Sequence, residues 1–293
     1  MKYPHIAKSQ LGISIDTNQF FEVEDFVKAY DSNGMNAPID CQFLHREDDL
    51  KYACKCIGDN GITILSGPSG VGKTRLAIEI CLQYNNDYRV YCVKSNGSLL
   101  YDDIKYYIDE PGKYFIFFDD ANMVANFDNV LNMLCSFSEG YEIKILITVR
   151  DYAKDRVVNS ICKYFKPKII RIDVFNNNEI RDILTQNLQI KNSNYLDKIV
   201  EIADGNIRLA ILAGLKSIDK GYTSIRNAED IFRNYYGTIL SDMGLTKNDI
   251  LILFFITFAG PIKSLESKLY DDLIKPYTKE SIKYEVIEKL YSF

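Results

Sequence analysis

The octapeptide Gly67-Pro68-Ser69-Gly70-Val71-Gly72-Lys73-Thr74 fits the pattern G-x-x-x-x-G-K-[ST] at every specified position. Its flanks turn the pattern into a structural statement. Gly61-Ile62-Thr63-Ile64-Leu65-Ser66 is a β-branched apolar run of strand length, and Arg75-Leu76-Ala77-Ile78-Glu79-Ile80-Cys81-Leu82 carries helical spacing. A strand, a glycine-rich loop and a helix in that order form a cradle for phosphate. The loop's backbone N–H groups turn inward, and the helix N-terminus adds partial positive charge. In such a cradle Lys73 reaches the β- and γ-phosphates and the Thr74 hydroxyl coordinates Mg²⁺, and Arg75, next in the chain, is counted with the loop among the nucleotide-binding residues.

The chain beyond the loop continues the alternation. Tyr88–Lys94, Tyr114–Asp120, Ile143–Arg150 and Lys168–Val174 read as further strands. Helical periodicity lies between them at Ser98–Ile108, Asn126–Phe137 and Tyr152–Phe165. This predicts an α/β fold with a parallel sheet of about five strands, covered by helices on both faces. Upstream, Gln19–Tyr30 predicts an amphipathic helix with Phe20, Val23, Val27 and Tyr30 on one face and Phe26 at its edge, and Asp31-Ser32-Asn33-Gly34 a turn. Cys41–Gly58 predicts a helix that starts on acidic residues. After Asn176-Asn177-Asn178 only helical patterns remain: Glu179–Leu188, Tyr195–Ala203, Ile207–Leu215, Ala228–Leu240, Lys247–Ala259 and Ser264–Lys289. The expected organisation is an N-terminal extension (1–40), a nucleotide-binding domain (41–175), a helical lid (176–240) and a C-terminal helical region (241–293) with the look of a truncated winged helix.

Composition excludes several classes. With 35 Lys and Arg against 40 Asp and Glu, the net charge of −5 argues against nucleic-acid binding by bulk charge. The seven cysteines are scattered without a C-x-x-C, and there are only two histidines, so a cysteine–histidine metal centre is not expected. Reduced thiols and the lack of a basic-then-apolar leader predict a cytoplasmic protein. The apolar run Ile250–Ala259 falls short of the roughly 20 residues that span a bilayer.

Chemistry-bearing residues recur at strand ends, where ligands of parallel sheets bind. The third strand ends in Asp119-Asp120, a Walker B arrangement: the first carboxylate suits Mg²⁺ and the second can polarise an attacking water. The fourth ends in Thr148-Val149-Arg150, placing Arg150 where it can sense a γ-phosphate by charge-assisted hydrogen bonding. In the helical region Gly205-Asn206-Ile207-Arg208 opens a helix. A cation in that first turn gains nothing from the helix dipole, which favours a ligand-facing Arg208.

Taken together these elements resemble the STAND branch of the AAA+-like P-loop NTPases, closest to the bacterial novel STAND NTPases, some of which act in antiviral defence. Thr148-Val149-Arg150 is similar to the family's Thr-Thr-Arg or Thr-Ser-Arg. Phe43-Leu44-His45-Arg46-Glu47 is similar to its Φ-Φ-Gly-Arg-Glu motif near the adenine, with His45 in the glycine's place. Gly205-Asn206-Ile207-Arg208 departs from the Gly-x-Pro motif at Ile207 but fits the Gly-[Asp/Asn]-x-Arg sensor of AAA+ loaders. The resemblance implies ATP and Mg²⁺ as cofactors, Arg46 and Ile207 near the adenine, Arg150 and Arg208 as γ-phosphate sensors, and a slowly hydrolysing signalling switch. It also implies self-association on activation and an effector or sensor protein as partner. An AAA+ motor or loader acting on DNA and a non-hydrolysing nucleotide-dependent scaffold remain open alternatives.

Overall fold

The apolar strands are continuous because both of their faces are covered, and successive side chains supply the two cores in turn. In the third of the chain's long strands, Tyr114, Ile116 and Phe118 enter one core while Phe115 and Phe117 enter the other. The neighbouring strand divides in the same way, with Ile145, Ile147 and Val149 on one side and Leu146 on the other. The computed structural model describes residues 17–31, 39 and 41–220, all within one compact unit. The expected turn at residues 31–34, the helix Ala228–Leu240 and the C-terminal region 241–293 lie outside the described residues, wholly or in part.

Among the described residues the strands are β1 (Phe20–Phe21), β2 (Ile62–Gly67), β3 (Arg89–Lys94), β4 (Gly112–Asp119), β5 (Tyr141–Arg150) and β6 (Lys168–Arg171). The helices are α1 (Val23–Asp31), α2 (Glu47–Asn60), α3 (Lys73–Tyr84), α4 (Tyr101–Tyr107), α5 (Phe127–Ser136), α6 (Lys154–Ile161), α7 (Asn177–Leu188), α8 (Ser193–Ala203) and α9 (Ile207–Lys220). The sheet order is β1-β3-β4-β5-β2-β6. The five strands β2 to β6 pair in parallel, as expected, and β1 adds antiparallel to the β3 edge.

Register brings the chemistry to one side. Gly67 pairs with Arg150 and Lys94 with Asp119, so the phosphate loop, the carboxylates and the strand-end arginine share the carboxyl edge of the sheet. The caps agree with local sequence. The α2 first turn holds Glu47, Asp48 and Asp49, where the dipole favours them, and Gly61 ends that helix in a left-handed conformation. At α7 Asn176 forms a capping box with Glu179, so the asparagine run that ends the strand pattern also starts the helical part.

The region before residue 41 differs from expectation. Phe20 and Phe21 are strand, not helix: Phe20 opposes Val93 and Phe21 opposes Cys92. The pair covers an edge that would otherwise expose unpaired backbone groups. Phe26, expected at the margin of the apolar face, is fully buried, with its ring 5.7 Å from that of Phe117. Phe26→Ala should therefore cost about 3–5 kcal/mol in urea unfolding. A loss below about 1 kcal/mol would show that α1 does not belong to this core.

Candidate functional site

The loop between β2 and α3 is built from residues that tolerate unusual backbone. Gly70 and Gly72 hold φ of 80° and 90°, a region costly for residues with a Cβ. A Cβ on Gly70 would stand 2.1 Å from the Asn206 side chain, so the helical part of the chain approaches the loop at that residue. Lys73 is buried and donates to the carbonyls of Gly67 at 2.8 Å and Pro68 at 2.7 Å. Burial draws its pKa below the ordinary lysine range, opposed in part by Asp120.

Two carboxylates follow the loop in space, and they differ. Asp119 is buried, and its Oδ1 accepts from the Thr74 hydroxyl at 2.9 Å and the Thr148 hydroxyl at 2.8 Å. Burial, with the negative charge of Asp120 second, pushes the Asp119 carboxyl up to about 6. Asp120 is half-exposed, with a left-handed backbone at φ 44°, and its N–H donates to Thr148 Oγ1 at 2.8 Å. Its Oδ2 accepts from Arg150 Nη2 at 2.9 Å and Nε at 3.2 Å. Thr148 thus holds the Asp119 carboxylate and the Asp120 backbone at once, a role its place in the Thr-Val-Arg triplet did not disclose.

The donor set suits a hard divalent cation. Thr74 and Asp119 offer two oxygens beside the phosphate loop, and no cluster of three or more His, Cys, Asp or Glu exists among the described residues. Mg²⁺ commonly takes one or two protein oxygens and keeps waters and phosphates for the rest, so these residues fit it better than they fit an all-protein cage.

The remaining site residues line an open cavity beside the loop. Lys73, Thr74, Asp120, Arg150 and Arg208 line its polar end, and Phe43, Leu44, Ile183, Ile207 and Ile211 line its apolar end. Arg46 lies at the wall with its guanidinium engaged in structure. It donates to Asp49 Oδ2 at 2.9 Å, Val71 O at 3.2 Å and Asp173 O at 2.5 Å, and stands 4.1 Å over the Phe175 ring. Arg75 is similarly held, by Glu79 at 2.6 Å and Cys41 O at 2.8 Å. His45 has φ 61°, so the left-handed backbone persists where the family motif has glycine, and its Nε2 lies 3.4 Å from Asp182 Oδ2 on α7.

The start of α9 sits directly on the loop. Arg208 N–H donates to Gly70 O at 3.2 Å, and Asn206 Nδ2 donates to Ser69 O at 3.3 Å. Asn206 Oδ1 meanwhile caps the helix by accepting from Leu209 N–H at 3.0 Å. On α7, Asn187 pairs reciprocally with the Gln42 backbone, accepting from its N–H at 2.9 Å and donating to its carbonyl at 3.2 Å. Sequence reasoning missed Asn187 and Phe175, which have no motif around them. It also missed Tyr30, whose helical spacing marked it only as apolar. Tyr30 lines the cavity, and burial followed by the charge of Asp119 pushes its hydroxyl up to about 12.

No helix among the described residues is long and apolar enough to cross a membrane. ORC1 of Aeropyrum pernix, solved in complex with DNA, superposes with a TM-score of 0.55 at 12% identity, covering 94% of this chain and 88% of that one. The Holliday junction branch migration motor RuvB of Thermotoga maritima superposes with a TM-score of 0.50 at 18% identity, covering 78% and 80%. At such identities the likeness is one of fold, that of P-loop ATPases. No curated protein matches the chain significantly. The family model described as Novel STAND NTPase 3 matches residues 44–190, just over half of the 293-residue chain. That span runs from Leu44 before α2 to Ile190 after α7, and so takes in the loop, both carboxylates and Arg150. Nucleotide binding is what this family implies, and the chain belongs to the novel STAND NTPases.

Proposed function

We propose that the chain is an ATP-binding switch with slow hydrolysis, in which α7 to α9 act as a lid whose position follows the γ-phosphate. The observation that carries this reading is the seat of α9 on the loop carbonyls of Ser69 and Gly70. A loop that turns its N–H groups toward phosphates must rearrange carbonyls that the lid already holds, so loop and lid move together.

Each residue then has a part. Lys73 leaves its two carbonyls for the β- and γ-phosphates, and the apolar end of the cavity takes the base beside Phe43 and Ile207. Arg46 and Arg75 keep the walls in place through the bonds described above. Bound Mg²⁺ would neutralise phosphate charge, with Thr74 and Asp119 as its protein ligands. Arg150 pairs with Asp120 and also faces the cavity, so a γ-phosphate and Asp120 compete for one guanidinium. Asp120 becomes available to orient water when Arg150 turns to phosphate, which couples sensing to hydrolysis. Arg208 senses the same phosphate from the lid.

The reading predicts that Asp120→Ala keeps ATP affinity within about threefold and slows phosphate release about tenfold to a hundredfold. Equilibrium binding and single-turnover release on the same preparation check both halves. Identical lid hydrogen exchange with ADP and with a non-hydrolysable ATP analogue would sink the switch. A nucleotide-sensitive lid with no measurable turnover would select the scaffold reading. A motor or loader acting on DNA is the second reading, favoured by the Gly205–Arg208 motif and opposed by the net charge of −5. A salt-sensitive gain in ATPase rate on adding DNA would select it. The setting we propose is cytoplasmic bacterial antiviral defence, with ATP-dependent self-association and an effector or sensor protein as partner.

A further inference from the structure

The wall at the apolar end of the cavity comes from two separate parts of the chain. Residues 41–44 supply one side, and Ile183, Asn187, Ile207 and Ile211 of α7 and α9 supply the other. The 41–44 segment is neither helix nor strand, so its backbone groups need partners from elsewhere. On the core side, Arg75 of α3 donates to Cys41 O at 2.8 Å, and its guanidinium carbon stands 5.4 Å from the centre of the Phe43 ring.

The other tether comes from the helical part of the chain. The Asn187 side chain takes both backbone groups of Gln42: Oδ1 accepts from its N–H at 2.9 Å and Nδ2 donates to its carbonyl at 3.2 Å. An N–H can only donate and a carbonyl can only accept, so this pairing fixes which way the amide points. Asparagine is a weak helix former, and Asn187 is the penultimate residue of α7, so the helix itself does not call for it. Four residues earlier, Ile183 lies on the same helix face, buried and against the cavity. Beside it, Asp182 Oδ2 lies 3.4 Å from His45 Nε2. Thus α7 lies along residues 42–45, with a polar contact at each end and an apolar residue between them.

We propose that Asn187 is a positioning residue for the base of the nucleotide: by joining Gln42 to α7 it makes the two sides of the apolar wall one unit, which exists only while the lid is seated. This role rests on reading the cavity as a nucleotide site, and it adds the residue by which the lid meets the base as well as the phosphates. Without Asn187 the segment keeps its Arg75 tether on one side and spends part of its time away from α7. The apparent affinity for any ligand that uses the wall then falls in proportion to the fraction of protein in which the wall is formed. A ligand confined to the phosphate loop is unaffected.

Asn187→Ala removes both bonds from a half-buried position at a helix end, and Asn187→Asp keeps the size but sets a carboxylate against the Gln42 carbonyl. Fluorescence titrations of the full chain with ATP and ADP, and with inorganic triphosphate as competitor, read the effect. Both variants should bind ATP and ADP about fivefold to thirtyfold more weakly, the worth of two modest hydrogen bonds, and inorganic triphosphate within about twofold. Unchanged affinity for ATP and ADP overturns the role. So does an equal loss for inorganic triphosphate, which would mark a general effect on the fold. A loss confined to ATP also overturns it, since Asn187 would then act through the γ-phosphate alone. Exchange of the Gln42 amide needs no nucleotide: it should be faster in Asn187→Ala, and equal exchange overturns the tether. Failure of the unsubstituted protein to bind ATP or ADP, with the Gln42 amide still protected, would instead overturn the nucleotide-site reading and take the base-positioning role with it.

Discussion

Lys73→Ala is expected to abolish the protection that ATP gives the chain against heat. A ligand present at a hundred times its Kd stabilises a protein by about 2.7 kcal/mol, and the variant should retain less than about 0.5 kcal/mol of that. The reason lies in what the ammonium does in the structure. It is buried, lowered in pKa chiefly by that burial, and satisfied by two loop carbonyls at 2.7–2.8 Å. A triphosphate offers oxygens with full negative charge in exchange for those neutral carbonyls, and charge-assisted bonds are about twice as strong. Alanine removes this gain and leaves the phosphates in the loop without their cation. The protein without added nucleotide should change little by comparison. Two carbonyl contacts disappear, but so does the cost of keeping a cation buried. Thermal scans with and without ATP test the two halves separately, and protection equal to that of the unsubstituted protein would remove the loop as the ATP site.

The parts of the site that were legible in the sequence are those whose chemistry is carried by consecutive residues. Gly67–Thr74, Asp119-Asp120, Thr148–Arg150 and Gly205–Arg208 could each be read locally, and parallel pairing then brings the first three to one edge. What could not be read is how these pieces use one another. Asp120 and Arg150 were separate candidates, and only the adjacency of β4 and β5 makes them partners. Arg46 and Arg75 have the charge for a phosphate site, but backbone carbonyls distant in sequence occupy their guanidinium groups. Phe20 and Phe21 joined the helical pattern because Phe20 and Val23 are three apart; pairing with β3 is a nonlocal choice that decides otherwise. Tyr30 fits an apolar face as readily as any aromatic residue, and nothing near it in sequence points to the cavity that it lines. Asn206 shows the same limit from the other side, since its motif located it correctly while its contact with Gly70 needed the fold.

Asp119→Asn is expected to make the protein more stable and less able to use Mg²⁺. The native carboxyl titrates near 6 against an ordinary 3.8, so between these values the native state binds more protons than the unfolded chain. The group's contribution to stability is present below about pH 4 and is lost as pH rises through 6. Two pH units correspond at most to about 3 kcal/mol, and the expected effect is of the order of 1–3 kcal/mol. Asparagine keeps an oxygen for the Thr74 and Thr148 hydroxyls and carries no charge to bury. Without Mg²⁺ at pH 7.5, urea unfolding should therefore show the variant more stable by about that amount, with the gain shrinking toward zero at pH 4. The loss appears when metal is supplied. A carboxylate is a far better ligand for Mg²⁺ than an amide oxygen, so the extra protection that Mg²⁺ adds to ATP should vanish, a fall in Mg²⁺-dependent affinity of about a hundredfold or more. The two signs test one physical claim: the site stores, in a buried charge, the free energy that a divalent cation later recovers. A variant no more stable than the parent, or one still protected by Mg²⁺ with ATP, would place the metal elsewhere and leave Asp119 as a buried strand-end acid held by two hydroxyls.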